Sequence, residues 1–208
     1  MARERDQQWE RLWGLLAPMH DQALSSARAL CRSSDEGNDL FQDTILRAFE
    51  KLDTLRDESR FRAWFYAVLL SRHRTRYRRR FWKRLLPLEN ELEEGREPAG
   101  HDGEREIESR AGAERAARAL ATLPAAQREA FVLHDLDGFT IAEVAEMQSK
   151  SISAVKSRLA RGRERLRRYY RRLGLADEFA SETNRSQSNR EERDETAYSL
   201  KCARSSSG

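Results

Sequence analysis

The chain has only two cysteines in 208 residues, Cys31 and Cys202. One falls in a helix-like segment and the other in a polar tail, so they build neither a disulfide framework nor a zinc site. A reducing, cytoplasmic setting is expected. Long apolar runs are also missing. No stretch approaches the ~20 residues that a membrane span requires, and the first residues lack the apolar core of a signal peptide. The histidines, His20, His73, His101 and His134, have no carboxylate or cysteine partners at ligand spacing, so no metal is expected. There is no paired-carboxylate constellation and no phosphate-cradling glycine loop. An enzyme, a nuclease for instance, is therefore disfavoured, and neither catalytic residues nor cofactors are expected. Strand patterning and internal repeats are absent as well, which leaves an all-α chain.

Charge is what the sequence has in abundance. Charged residues make up 36% of the chain and hydrophobic ones 38%, enough for small helical modules with modest cores. The net charge of +4 conceals strong segregation. Arg72 to Arg84 holds eight basic residues and no acidic one, and Lys156 to Arg172 holds nine against the single Glu164. Between them, Glu89 to Glu108 carries nine acidic residues and two basic ones. Two basic stretches separated by an acidic spacer suggest two contacts with a polyanion.

Helical spacing begins at Trp9, Leu12, Trp13 and Leu16 and resumes after Pro18 at Ala23, Leu24, Ala27 and Leu30, so Pro18 kinks or ends the first helix. Ser33 to Asn38 reads as a polar turn. The next helix has Phe41, Ile45, Ala48, Phe49 and Leu52 on one side and Asp39, Gln42, Asp43, Arg47 and Glu50 on the other. A polar loop, Asp53 to Arg60, leads to a third helix with Phe61, Trp64, Phe65, Val68 and Leu69 on its apolar stripe, where Trp64 and Phe65 are core candidates. Trp82 lies beyond that stripe and either packs or stacks on a base. The boundaries expected are a first helical module at 8–84, a flexible acidic linker at 85–110, a second module at 111–174 and a disordered tail at 175–208.

The second module is the more informative. Pro124 opens a helix with Phe131, Val132 and Leu136 on its apolar side, and Asp137-Gly138 closes it. Thr140 and Glu143 form a capping box for a short helix ending at Met147. After the turn Gln148 to Ser151 comes a long helix with Ile152, Val155, Leu159, Leu166, Tyr169 and Leu173 facing inward. Short helix, tight turn, long helix is the helix-turn-helix arrangement that seats a recognition helix in the major groove. The outer face offers Ser153, Lys156, Ser157, Ala160 and Arg161 to base edges, with Arg163, Arg165, Arg167 and Arg168 placed for phosphates. Composition alone leaves a plain amphipathic pair with a solvated basic face as the alternative.

The run LPAAQREAFVLHDLDGFTIAEVAEMQSKSISAVKSRLARGRERLR resembles region 4 of the extracytoplasmic-function sigma factors, the module that reads the −35 promoter element. It departs from the family at the turn. The family typically has Leu-Gly and an apolar residue where this chain has Gln148, Ser149 and Lys150. A non-glycine residue in a left-handed turn costs on the order of 1 kcal/mol, and losing the apolar residue is expected to weaken the hinge. DLFQDTILRAFEKL and FRAWFYAVLLSRHRTRYRRR resemble region 2 of the same family, and the two resemblances span about 150 residues in the family's order.

The resemblance implies that Asp39, Gln42, Asp43 and Arg47 dock on the clamp helices of the largest subunit of core RNA polymerase. It implies that the loop, with Asp57, Glu58, Ser59 and Arg60, holds a base flipped from the −10 element. Arg72, Arg76, Arg79 and Arg80 would follow the −10 phosphates. It also implies an anti-sigma factor as partner and a stress- or signal-induced regulon. The competing reading is a stand-alone helix-turn-helix regulator, which would need a dimer interface or an effector domain. An interaction-only sigma mimic would not need both basic surfaces.

Overall fold

The structure, a computed structural model, describes residues 2–85 and 104–175, with the side chains of 2, 80–85 and 104–110 left aside. Among the described residues there are helices and turns but no strand. The chain divides between Ala121 and Thr122 into two compact units.

In the first unit, α1 (Ala2–Leu16) ends in a single 3₁₀ turn, Ala17–Met19, built around Pro18, and α2 (His20–Leu30) follows. Pro18 therefore ends one helix and lets the next restart at an angle, as its missing N–H and fixed φ require. Helix α3 (Ser34–Lys51) packs on α2 and on α4 (Phe61–Leu85). The expected polar turn at Ser33 to Asn38 is a correction. Ser33 caps α3 by accepting from the Glu36 N–H at 3.3 Å, so the helix begins one residue later and includes Gly37. Asp35 and Glu36 lie in that first turn, where the helix dipole favours negative charge.

The core of this unit is Leu12, Leu16, Ala23, Ala27, Leu30, Leu40, Phe41, Ala48, Leu52, Phe61, Phe65, Tyr66, Leu69 and Leu70, all buried. Phe65 is core as its spacing predicted, and Trp64, half-buried, packs beside Phe61 at a ring separation of 5.8 Å. Trp9 stacks on Phe49 at 4.4 Å, and Gln8 donates to the Phe49 carbonyl at 3.1 Å, pinning α1 across the end of α3.

Helix α5 (Glu104–Ala121) also belongs to the first unit and touches α2. Its start at Glu104 corrects the expected linker, which ran to residue 110. Glutamates at 104 and 106 suit a helix N-terminus, and the alanines beyond are strong helix formers. The rest of that linker, 86–103, and the tail from 176 onward lie outside the described residues.

The second unit contains α6 (Ala125–Phe131), α7 (Ile141–Gln148) and α8 (Ile152–Arg172). The last turn of α6 widens into a π-helical segment, Val132–Leu136, in which the Asp137 N–H reaches back to the Val132 carbonyl at 2.9 Å. Each π turn inserts a residue and rotates the side chains beyond it about the helix axis. Leu136, expected on the apolar side with Val132, is consequently 48% exposed. His134 and Asp135 are buried in its place. His134 Nδ1 donates to the Phe139 carbonyl at 2.8 Å, which ties the segment to the turn before α7. The Thr140–Glu143 capping box is formed, with both reciprocal bonds present.

Close packing makes Gly37 and Gly162 a contrasting pair. A Cβ at Gly37 would lie 2.5 Å from the Cα of Arg28 in α2, whereas at Gly162 the nearest atom would be 3.7 Å away. Gly37→Ala should destabilise the first unit by about 1–3 kcal/mol. Gly162→Ala should be neutral or stabilising by up to about 1 kcal/mol, through helix propensity. Thermal unfolding followed by circular dichroism checks both; equal effects would contradict this packing.

Candidate nucleic-acid and polymerase interfaces

Helix α8 carries the first candidate surface. Ser151 caps it by accepting from the Ala154 N–H at 3.2 Å, and Val155, Leu159, Gly162 and Leu166 are buried. The opposite face exposes Ser153, Lys156, Ala160, Arg161 and Arg165, with Ser157 half-buried at its edge. These six expected positions therefore share one side of the helix or its margin. Farther along, Arg167 and Arg168 lie 3.8 and 3.6 Å from Glu164, exposed pairs worth little in water. Ile152 and Leu173, expected to face inward, are corrections. They are 50% and 48% exposed, and each sits at an end of the helix.

Arg163 is the larger correction. It was expected to face DNA phosphates, but its Nε and Nη2 donate to Oδ2 and Oδ1 of Asp135 at 3.1 and 2.7 Å. The side chains are 17% and 6% exposed, so the pair is nearly dry. Removing either partner of such a pair strands a buried charge at a cost of about 3–5 kcal/mol. The π turn is what swings Asp135 inward to meet this arginine.

The turn between α7 and α8 holds Ser149 at φ +50°, ψ +49°, the left-handed conformation expected for that position. Lys150, at the position of the lost apolar residue, is exposed, whereas the position of the family's leucine is buried. Gln148, only 3% exposed, fills the space and makes polar links to both α6 and α8.

The second candidate surface joins α3 and α4. Asp39 and Gln42 are exposed on α3, and Arg47, half-buried, pairs with Glu50 at 2.6 Å. Between them projects Leu46, 56% exposed. It was missed in the sequence, although an apolar residue off the Phe41, Ile45, Ala48, Leu52 stripe was the available signal.

Asp43 is turned toward α4. Its Oδ2 accepts from Arg76 Nη2 at 2.6 Å, from Arg76 Nε at 3.0 Å and from Arg72 Nη2 at 3.2 Å. Arg76 also donates to the Asp39 carbonyl at 3.2 Å. Partial burial opposes the charged carboxylate, but the hydrogen bonds from Arg76 and Arg72 and their positive charge outweigh it, and the carboxyl is held below its ordinary value. Asp43, expected on polymerase, and Arg72 and Arg76, expected on DNA, thus form one interhelical cluster. Arg79 is exposed farther along α4; the side chains of Arg80 and Trp82 lie outside the described residues.

The loop before α4 is shaped by its own carboxylates. Asp57 accepts from the Ser59 N–H at 2.9 Å and from its hydroxyl at 2.6 Å, which holds the Asp57 carboxyl below its ordinary value. Glu58 accepts from Arg11 of α1 at 2.8 Å, so it anchors the loop, and Arg60 is exposed beside it.

A helix-turn-helix with a basic outer face, preceded by a separate module whose long helix α4 is also basic, matches known proteins in both parts. Residues 15–83 match the family model for sigma-70 region 2, and residues 113–166 match that for sigma-70 region 4. The sigma factor CnrH of Cupriavidus metallidurans is 31% identical over 163 residues, covering 76% of this chain and 85% of that protein. The ECF sigma factor SigM of Mycobacterium tuberculosis is 32% identical over 149 residues, 72% of this chain and 71% of that one.

The chain belongs to the sigma-70 family, in its extracytoplasmic-function branch.

Solved structures agree. The sigma factor RpoE of Bartonella quintana, in complex with the anti-sigma factor NepR, superposes with a TM-score of 0.58 at 26% identity, over 75% of this chain and 94% of that one. CnrH in complex with the cytosolic domain of CnrY gives 0.56 at 25% identity, over 79% and 90%. This sigma factor is therefore a promoter-specificity subunit of RNA polymerase that acts in transcription initiation, without a catalytic role of its own.

The cluster and the turn each lend themselves to a stability measurement. Asp43 has its pKa lowered on folding, so its stabilisation is full above the ordinary carboxylate value and disappears as pH falls through the lowered one. Asp43→Asn should cost about 1 kcal/mol at pH 7, and the gap to the parent should close below about pH 4, as read by denaturant titration across pH. A gap independent of pH would contradict the charge pairing. Ser149→Gly should raise the stability of the second unit by about 0.5–1 kcal/mol by relieving the left-handed turn, visible in the same titrations at neutral pH.

Proposed function

We propose that this sigma factor docks on the clamp helices of the polymerase largest subunit through the outward side of α3: Asp39, Gln42, Leu46 and Arg47. An exposed leucine ringed by polar side chains is the anatomy of a binding hot spot. The N-terminal half of α8 reads the −35 element through Ser153, Lys156, Ser157, Ala160 and Arg161, with Arg165 on phosphates. The −10 element falls to the loop, Asp57 to Arg60, and to the basic end of α4, where Arg79 and Arg80 continue the row begun by Arg72 and Arg76. The single observation that carries this reading is the exposed basic face of α8, set directly behind the helix-turn-helix turn.

The protein acts in the cytoplasm on a stress- or signal-induced regulon. The region 2 module spans about residues 8–84 and the region 4 module about 111–174, so α5, which clusters with the first unit, runs from the linker into the region 4 segment. RpoE of Bartonella quintana binds the anti-sigma factor NepR. That likeness supports an anti-sigma partner for this chain.

The reading is tested by who else must be present. Alone, the chain should bind duplex DNA weakly and in a salt-sensitive manner, without opening strands, because ordering both modules on DNA is unfavourable without a scaffold. Adding bacterial core polymerase should produce tight promoter-selective binding, permanganate-reactive thymines near −10 and a run-off transcript. Leu46→Arg should abolish all three without changing the melting curve. Lys156→Ala or Arg161→Ala should weaken binding by about 1–3 kcal/mol and relax one −35 position. Arg167→Ala or Arg168→Ala should weaken all sequences alike and lower the salt slope by about one unit per lost contact. Nanomolar, sequence-specific binding without polymerase, unaffected by Leu46→Arg, would assign the chain to the stand-alone regulators.

A further inference from the structure

Gln148 stands where this chain departs from the usual family turn, and it is buried, at 3% exposure. Its Nε2 donates to the Ala126 carbonyl oxygen in α6 at 3.3 Å. Its Oε1 accepts a hydrogen bond from Nη1 of Arg158 in α8. One amide at the end of α7 is thus bonded at once to α6 and to α8. The neighbouring backbone is also closed, with the Ser149 N–H on the Glu146 carbonyl and the Lys150 N–H on the Ala145 carbonyl, both at 2.9 Å.

The two bonds act on different freedoms of α8. Apolar packing against Val155 and Leu159 keeps the helices together, but dispersion has little directional preference. Hydrogen bonds are directional, and an amide with both ends engaged permits one orientation. Arg158 lies in sequence between Lys156 and Arg161, on the half-buried flank of α8. Holding its guanidinium therefore fixes how far the outer face is rotated about the helix axis. A rotation that packing alone would tolerate moves the tips of Lys156 and Arg161 by enough to lose bidentate contact with a base edge.

We propose that Gln148 is a positioning residue for promoter recognition: through Arg158 and the Ala126 carbonyl it sets the orientation of α8, so −35 preference depends on a side chain that touches no DNA. The inference rests on α8 being the −35 reading helix.

The test uses the full chain assembled with bacterial core polymerase and a pool of promoter duplexes randomised in the −35 element, sequenced after selection. Gln148→Met and Arg158→Ala should each reduce the preference for the best over the next-best −35 base by roughly fivefold, and the double variant should lose no more than either single one. Gln148→Glu still accepts from Arg158 but, when ionised, cannot donate to Ala126, so it should fall between. Melting temperatures, measured in parallel, separate positioning from a merely structural role. A lowered melting temperature with intact base preference would overturn the inference, as would single effects that multiply in the double variant. If Gln148→Met fails to fold, Arg158→Ala and Gln148→Glu carry the comparison. If Lys156→Ala and Arg161→Ala also leave −35 preference unchanged, the reading of α8 itself falls. If they change it and the Gln148 and Arg158 variants do not, only the positioning role falls.

Discussion

Each basic helix of this protein must hold a row of guanidinium groups beside a small apolar core, and each commits part of that row to a carboxylate on the helix it packs against. Asp43 of α3 holds Arg72 and Arg76 of α4, and Asp135 at the end of α6 holds Arg163 of α8. These are the ties on which the rest of the arrangement depends. They relieve like-charge repulsion along the row, and they lock the helix pairs that carry the exposed basic faces. The second is the stronger constraint because it is nearly dry, and there an unpartnered charge is costly. The first is wetter, and its contribution is modest.

Sorting the arginines in this way separates scaffold from surface. Arg72, Arg76 and Arg163 hold helices, whereas Arg79, Arg161 and Arg165 are exposed where a polyanion can reach them. The same logic extends to uncharged groups at the turn, where Gln148 replaces a purely apolar contact with a directional one. A module with a small core gains orientation from such bonds more readily than from additional burial, since its apolar surface is limited.

The two surfaces suit a protein that works on a scaffold. Its two family segments are separated in sequence by a stretch rich in acidic residues, and each carries its own basic face. Placing both against one promoter is favourable only when a third body supplies the spacing, and that is the role of core polymerase for a sigma factor.

Much of this was legible in the chain because it rests on local chemistry. Pro18 ends α1, Ser151 caps α8, and the Thr140–Glu143 box starts α7. Apolar spacing placed Leu12, Phe41, Phe65, Val155 and Leu159 in the cores, and the motifs of regions 2 and 4 identified the family. The resemblance to the family's turn, which has glycine there, located the left-handed residue, Ser149. What tertiary structure alone decided was the allegiance of long polar side chains. Asp43 and Arg76 are 33 residues apart, and Asp135 and Arg163 are 28 apart. Helical periodicity relates positions within a turn or two, and it treats every arginine off the apolar stripe as equivalent. The π turn that turns Leu136 outward and Asp135 inward, the backbone approach that requires Gly37, and the burial of Gln148 likewise arise only when two helices meet, because each is a property of the gap between them.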